Sequence, residues 1–315
     1  MYDGKVVVII PAFNEQDSIG SVIENIPRDC ATTVEVLVID DGSTDNTVKI
    51  ANDCRADKII SHKYNNGLGK AFKRGIEEAL ELEGDIIVNI DADGQFNPAD
   101  IPKLILPIIN KDAEMTTCTR FAVKNSVPKM PLIKNIGNRI FTKLVSILTG
   151  QNFTDTQCGF RAYSREAALR LNLSGKFTYT QEVLLDLSKK NLAIIEVPCK
   201  VRGQREFGKS KMVSNPIYYA INSLLIITRV IRDQYPFRFF GFFGFVFSSI
   251  GTFFGILLLA HYKPYPFQNI TPNLSLINLI IGFLLLMLAL LADMNSKNKD
   301  VNEEILYLIK KNKKF

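Results

Sequence analysis

The chain has 315 residues, enough for one large domain or two ordinary ones, and 47% of them are hydrophobic, so a disordered chain is excluded. The formal net charge of +6 is dispersed except near the dense apolar stretch Phe239–Ala292 and in the C-terminal tail, which favours anionic lipid over nucleic acid as the partner. Five widely spaced cysteines without a C-x-x-C pair and only two histidines argue against a disulfide framework, a zinc site and a histidine-based catalytic pair, so carboxylates must hold any metal.

From Lys5 onward, short β-branched runs alternate with longer amphipathic ones, which is typical of βα units around a mostly parallel sheet. Strands are predicted at Lys5–Ile10, Glu35–Asp40 and Asp85–Asp91. The other predicted elements are helices at about 18–25, from near 44, and at 67–82, 132–148 and 180–190, an element at 158–164 and a strand at 193–201. The N-terminus carries no recognisable signal peptide, so the first two hundred residues are expected to be cytosolic.

The C-terminal third predicts contact with a membrane. A glycine-containing basic segment at 202–211 precedes a predicted amphipathic interfacial helix at 213–236. Two uncharged stretches, at about 239–260 and 274–292, lie within 237–293 and are long enough to cross the hydrocarbon layer as a hairpin, although a pair of buried soluble helices is an alternative. Basic residues flank both outer ends of this hairpin, which predicts that the N-terminal domain and the basic tail at 294–315 lie on the cytoplasmic side of the cell membrane.

A D-x-D pattern follows the third predicted strand, in the segment Asp91-Ala92-Asp93-Gly94-Gln95. Two carboxylates at a strand end can hold a hard divalent cation such as Mg²⁺ or Mn²⁺ and leave coordination positions for diphosphate oxygens. A turn that caps the next helix would look similar. The position of the motif favours the metal, because ligands of open α/β sheets bind at the carboxyl ends of the strands.

Two further motifs end at the same predicted edge of the sheet. Asp40-Asp41-Gly42-Ser43 follows the second strand, and Pro11-Ala12-Phe13-Asn14-Glu15 follows the first, where Asn14 could also cap a helix. Gly67-Leu68-Gly69-Lys70 lacks the spacing of a Walker phosphate loop, which argues against that type of site.

Together with Cys158-Gly159-Phe160-Arg161, these motifs resemble, in the same order, family 2 glycosyltransferases of the dolichyl-phosphate mannose synthase type. The resemblance covers about residues 5–212, so the domain is taken as 1–212. It implies a GT-A fold and an inverting transfer, in which a nucleophile displaces the nucleoside diphosphate from the anomeric carbon of the sugar.

The resemblance also implies roles for individual residues. Those expected around the nucleotide are Pro11, Phe13, Glu15, Ile39 and Asp41, and those expected to hold the metal are Asp91, Asp93 and Gln95. Basic or polar residues expected to meet phosphate oxygens of the donor or acceptor are Arg120, Lys134, Arg205, Ser210 and Lys211, although the segment 205–211 could instead be a juxtamembrane basic patch. Glu182 is the candidate base or orienting carboxylate, with a solvated helix residue as the alternative.

The predicted activity is transfer of a hexose from a nucleotide-sugar, of the GDP-mannose or UDP-glucose type, to a polyprenyl or dolichyl phosphate. A lipid acceptor would explain why membrane segments follow the predicted catalytic domain. One alternative is a membrane glycosyltransferase that acts on a sugar hydroxyl, but the processive type carries a Q-x-x-R-W motif and this chain has no tryptophan. The other is an inactive membrane scaffold with the same fold.

Overall fold

A computed structural model describes residues 1–121, 132–172, 179–199, 201, 228–229, 231–232, 235–260 and 271–312, except for the side chains of 132–136 and 271. The chain forms two compact units. The catalytic-side unit comprises Met1–Pro216 and Tyr307–Phe315, and the helical unit comprises Ile217–Leu306. The predicted interfacial helix at 213–236 and the predicted basic segment at 202–211 lie almost entirely outside the described residues.

The catalytic-side unit contains a mixed sheet of seven strands in the order β3-β2-β1-β4-β6-β5-β7. The strands are β1 (Tyr2–Ala12), β2 (Ala31–Asp40), β3 (Lys58–Ser61), β4 (Ile86–Asn89), β5 (Met115–Thr119), β6 (Arg161–Ser164) and β7 (Ile194–Pro198). Four of the neighbouring pairs are parallel, and β6 runs antiparallel to both β4 and β5. The prediction of a mostly parallel α/β sheet is therefore confirmed.

Helices connect the strands and cover the sheet. They are α1 (Ile19–Glu24), α2 (Thr47–Asp53), α3 (Leu68–Glu81), α4 (Ile101–Ile109), α5 (Leu132–Thr149), α6 (Arg165–Arg170) and α7 (Tyr179–Lys189), with a short 3₁₀ turn at Pro98–Asp100 before α4. The central strand β1 is fully buried from Val6 to Ile10, as expected for a strand covered on both faces.

The direction of the strands determines where their ends lie. Because β4 and β5 both run antiparallel to β6, the ends of β1, β2, β4 and β5 share one edge of the sheet with the start of β6. The three acidic or polar motifs and Arg120 therefore lie at this edge, which is called the active edge below.

The helical unit contains two long helices, α8 (Pro236–Leu259) and the greater part of α9 (Thr271–Asn312). Both are long and apolar enough to cross a membrane, with mean hydropathies of 2.1 and 2.8 over an 18-residue window of each helix. They pack antiparallel through glycines: a Cβ added at Gly251 would lie 2.8 Å from the backbone nitrogen of Leu279, and one at Gly282 would lie 2.7 Å from that of Ser248. The Ser275 hydroxyl donates to the Gly251 carbonyl at 2.8 Å.

The second apolar helix extends beyond the predicted segment of 274–292. Helix α9 continues to Asn312, so most of the segment expected to be a separate tail at 294–315 is helical. The polar residues after 292 do not end the helix because they include neither proline nor glycine.

Candidate active site

Hydrogen bonds join the loops that follow β1 and β2 at the active edge. The Asn14 amide donates to the Ser43 hydroxyl at 2.9 Å, and the Asn14 side-chain oxygen accepts from the Thr44 amide at 2.8 Å. The Glu15 amide donates to the Thr47 hydroxyl at 2.8 Å. Asn14 therefore lies in a left-handed turn that fastens one loop to the other, rather than serving as the cap of a helix.

The loop after β4 lies against the loop after β1. Gly94 has a φ of +69°, and the position of its missing Cβ is 3.9 Å from the Cβ of Ser18. The Ser18 hydroxyl in turn donates to a carboxylate oxygen of Glu15 at 3.3 Å. Thus the structure brings the three predicted motifs together, with Pro11 and Ile39 paired in register on the strands below them.

Asp41 organises the segment that leads into α3. Its buried carboxylate accepts hydrogen bonds from His62 Nδ1 at 2.8 Å, from the Asn66 amide at 2.9 Å and from the Gly67 amide at 2.8 Å. Since a carboxylate offers about four acceptor positions, these three hydrogen bonds leave about one position for a ribose hydroxyl. Asp41 therefore has a structural role that the sequence did not predict: it holds the segment that leads into α3.

Asp91 lies against Gly159, the glycine of the fourth motif. A Cβ at Gly159 would be 2.6 Å from Asp91 Oδ2 and 2.8 Å from Oδ1, so only glycine leaves room for this carboxylate. Asp93 is 8% exposed, and its Oδ1 accepts from the Gln95 amide at 3.1 Å. Gly159 of the fourth motif thus provides the space that the first carboxylate of the D-x-D motif occupies.

A cluster of buried residues, joined by hydrogen bonds, lies next to the loop that contains Asp91. Asn89 Nδ2 donates to the Gly159 carbonyl at 2.8 Å and to the Tyr179 hydroxyl at 3.0 Å, and all three residues are shielded from solvent. Tyr179 stacks on Phe72, with ring centroids 4.1 Å apart. Burial raises the pKa of Tyr179 well above its ordinary value, and the charge of Asp91 raises it further, so the hydroxyl remains protonated.

Arg120 forms a two-point ion pair with Asp155. Its Nε and Nη2 donate to the two carboxylate oxygens at 2.5 and 2.8 Å, and Asp155 is fully buried. Burial disfavours the charge of Arg120, but the hydrogen bond and charge of Asp155 outweigh burial and raise its pKa. Arg120 is therefore held rigidly at the active edge, with Nη1 the one side-chain nitrogen outside this pair.

The remaining predicted residues are only partly described. Glu182 is half-buried in the first turn of α7, three residues after Tyr179. Lys134 belongs to α5, but its side chain lies outside the described residues, as do Arg205, Ser210 and Lys211. Phe13, Glu15 and Gln95 are half-buried at the active edge.

Sequence reasoning did not find three of the residues that shape this site. Asn89 could have been noticed, because it is the one polar residue within the apolar run from Ile86 to Ile90. Tyr179 and Asp155 carry no such signal, since both lie in segments without a clear hydrophobic period.

Among the described residues, no cluster of three or more His, Cys, Asp or Glu side chains could hold a metal.

Comparison with known proteins identifies the family. The model of Glycosyl transferase family 2 matches residues 7–171, which is more than half of the chain. This chain belongs to that family. It is therefore a glycosyltransferase, and the resemblance based on the four motifs is confirmed.

The names of two relatives refer to a dolichyl phosphate or to a phosphorylated polyprenol. The UDP-N-acetylglucosamine–dolichyl-phosphate N-acetylglucosaminyltransferase of Methanococcus voltae is 35% identical over 243 residues, 70% of this chain and 96% of that protein. The polyprenol monophosphomannose synthase of Mycolicibacterium smegmatis is 27% identical over 226 residues, 69% of this chain and 84% of that protein.

The fold is similar to that of glucosyl-3-phosphoglycerate synthase from Mycobacterium tuberculosis, solved with Mn²⁺, UDP and glucosyl-3-phosphoglycerate. The TM-score is 0.56 at 23% identity, with 71% of this chain and 80% of that chain covered. This similarity confirms the predicted GT-A fold. The two apolar helices suggest that this glycosyltransferase is associated with a membrane.

Proposed function

We propose that this enzyme transfers a sugar from a nucleoside diphosphate to a polyprenyl phosphate at the cytoplasmic face of the cell membrane. The observation that carries the proposal is the 35% identity over 96% of a dolichyl-phosphate sugar transferase. A second relative is named for the same kind of acceptor but for another sugar. The acceptor class is therefore better supported than the sugar, which GDP-mannose, UDP-glucose or UDP-N-acetylglucosamine could supply.

The residues of the D-x-D loop fit a divalent cation. Asp91 and Asp93 offer hard carboxylate oxygens, Gln95 offers an amide oxygen, and the space beside Gly159 admits the Asp91 carboxylate without a clash. Two carboxylates leave coordination positions for diphosphate oxygens. A bound Mg²⁺ or Mn²⁺ would supply positive charge where the departing diphosphate becomes more negative.

Residues of the protein itself are proposed to bind the nucleotide and the phosphate groups of donor and acceptor. Pro11, Phe13, Glu15, Ile39 and Asp41 are proposed to surround the nucleotide. Arg120, fixed by Asp155, directs its remaining nitrogen toward an anionic oxygen, and this preorganised charge lowers the cost of diphosphate departure. Lys134, Arg205, Ser210 and Lys211 are proposed to bind further phosphate oxygens.

Transfer requires one bond to form and one to break. An oxygen of the acceptor phosphate attacks the anomeric carbon from the face opposite the diphosphate, and the electron pair of the breaking C–O bond leaves with the diphosphate. The acceptor phosphate is already anionic, so no proton has to be removed from it. Glu182 is then an orienting carboxylate, whereas a hydroxyl acceptor would require it to act as a base.

The sidedness of the proposal follows from charge. Arg229 and Arg232 precede α8, Arg238 lies in its first turn, and lysines follow the apolar part of α9, whereas Lys263 is the one charged residue of the connection at 261–270. We therefore propose that both ends of the hairpin lie in the cytoplasm. Proteolysis of the catalytic-side unit in inside-out vesicles, but not in right-side-out vesicles, would support this placement.

The test combines donor and acceptor in one assay. Detergent-purified protein is incubated with Mn²⁺, a polyprenyl phosphate and each labelled nucleotide-sugar, and label is counted in the organic phase. We expect one donor to label the lipid, Asp93→Asn to abolish labelling, and Asp17→Asn, an exposed acid before α1, to leave it unchanged. Transfer only to a sugar hydroxyl, or no transfer from any donor, would contradict the proposal.

A further inference from the structure

Helix α9 exposes apolar side chains along most of its length: as far as Leu291 they include residues on several faces, such as Leu276 and Phe283, and between Asp293 and Ile305 they lie on one narrow stripe. Residues spaced alternately three and four apart occupy the a and d positions of a heptad repeat from Ile277 to Ile305. The a positions are Ile277, Leu284, Leu291, Asn298 and Ile305, and the d positions are Ile280, Met287, Met294 and Val301. The eight apolar members are between 44% and 62% exposed, and Asn298 is exposed as well. We call these nine residues the a/d stripe.

The opposite face of α9 is already occupied within the helical unit. Ser275, Leu279 and Gly282 contact α8 near Gly251 and Ser248. Ala289, seven residues after Gly282, is fully buried. The a/d stripe thus belongs to the part of α9 that α8 leaves uncovered, together with exposed neighbours such as Phe283 and Leu290.

Lipid can cover the part of the a/d stripe that precedes Asp293, but it is a poor partner for the part that follows Asp293. Between Asp293 and Ile305 the apolar residues are Met294, Val301 and Ile305, all on the stripe. Two apolar residues in seven form a coiled-coil seam, which is narrower than the broad apolar face of a helix that lies on a membrane surface. The same stretch contains four acids and two lysines, and this negative balance disfavours an anionic lipid surface.

We propose that a second copy of this chain covers the a/d stripe, in a parallel two-stranded coiled coil of two α9 helices. A single asparagine at an a position, here Asn298, specifies register and oligomeric state in such assemblies. The flanking e positions in the polar stretch are Asn295 and Asn302, so Lys297 and Glu304 at the g positions meet no like charge across the seam. Two membrane-anchored copies also share one orientation, as a parallel pair requires.

The size of the stripe agrees with a specific dimer. A stripe of 29 residues is about 43 Å long, and a helix about 12 Å wide covers on the order of 500 Å² per copy, or roughly 1,000 Å² in total. This area reaches the lower limit for a specific interface. Confinement of both copies to one membrane raises their effective concentration.

Cross-linking of the full-length protein in native membranes tests the proposal. The parent protein carries Cys30→Ser and Cys54→Ser, which removes the two partly exposed cysteines. Val301→Cys should form disulfide-linked dimers on oxidation several-fold more than Lys299→Cys, whose residue is exposed at the adjacent b position. Equal cross-linking at the two positions, or none at either, would overturn the proposal.

Light scattering of the detergent-purified protein supplies a second measurement. We expect a dimer for the native chain, a monomer for Val301→Glu and a dimer for Lys299→Glu. Asn298→Leu should produce larger assemblies beside the dimer, because the polar residue that specifies the oligomeric state is replaced by a leucine at an a position. A monomeric native chain, or a Val301→Glu variant that remains dimeric, would refute this interface, including the case in which lipid alone covers the stripe.

Discussion

The position of Asp91 depends on the absence of a side chain at Gly159. The carboxylate occupies the space where a Cβ would lie, and the carbonyl of the same glycine accepts the Asn89 amide. One residue therefore provides both room and an anchoring point. Because second-shell groups orient the ligands of a metal, small changes here are expected to act on metal binding rather than on nucleotide binding.

Gly159→Ala should lower the activity about 10- to 100-fold, the usual range for a disturbed second shell. The added Cβ would lie 2.6 Å from Asp91 Oδ2 and displace it. The Mn²⁺ concentration needed for half-maximal activity is measured and should rise. Gly241→Ala is the matched control, since a Cβ there meets nothing within 4 Å. An unchanged Mn²⁺ dependence in Gly159→Ala would show that Asp91 holds no metal.

Tyr179→Phe should lower both stability and activity. The variant removes the acceptor of one Asn89 hydrogen bond inside a buried group, at a cost of about 1–3 kcal/mol. A domain of this size loses about 2–4 °C of its thermal midpoint per kcal/mol. Thermal midpoints in detergent are compared with those of Tyr64→Phe, a change at an exposed tyrosine. A midpoint equal to that of the Tyr64→Phe control would contradict the importance of this hydrogen bond.

At the scale of elements, the sequence predicts the strands β1, β2, β4 and β7 but not β3 or β5, and it does not predict the contacts that support the loops. The β-branched run of β1 and the uncharged residues of α8 and α9 produce periodic or compositional signals that local patterns reveal. The ion pair of Arg120 with Asp155 joins residues 35 positions apart, and the Asn89–Tyr179 bond joins residues 90 apart. Such pairings depend on the order of strands, which no local pattern encodes.

Gly251→Leu should separate α8 from α9. The Cβ position is 2.8 Å from the backbone nitrogen of Leu279, so a larger side chain forces the helices apart, with an overpacking cost of about 1–3 kcal/mol. Gly241→Leu introduces the same side chain on α8 at an open position. Thermolysin digestion of both variants in detergent should cleave Gly251→Leu faster within the helical unit. Equal rates of cleavage would contradict close packing at Gly251.

At the scale of the whole chain, the last residues belong to the catalytic-side unit. Tyr307 is buried, its hydroxyl donates to Glu166 Oε2 at 3.0 Å, and the guanidinium of Arg170 lies 4.0 Å from its ring centroid. Lys310 Nζ donates to the Leu171 carbonyl at 3.1 Å. The segment expected to be a basic tail therefore stabilises the domain formed by the first two hundred residues, and its removal is predicted to weaken that domain.

This contact should weaken in acid. Burial alone would raise the pKa of Glu166, but hydrogen bonds from Arg170 and Tyr307 outweigh burial and lower it below the ordinary value of 4.5. At a pH near the ordinary pKa of 4.5 and below it, the unfolded chain therefore binds more protons at Glu166 than the folded chain does. The stabilisation is complete above the ordinary pKa and is lost as the pH falls through the lower, folded pKa.

The variant Tyr307→Phe distinguishes the contribution of the Tyr307 hydroxyl to stability from that of its aromatic ring. It keeps the ring beside Arg170 but removes one hydrogen bond to the Glu166 carboxylate, so the variant should be less stable by about 1.5–3 kcal/mol at neutral pH. Thermal midpoints of the two proteins are measured from pH 7 downward. The difference should shrink below the ordinary glutamate pKa, because protonated Glu166 stabilises the native protein less. A difference that stays constant across this range would show that the charge of Glu166 does not contribute to the contact.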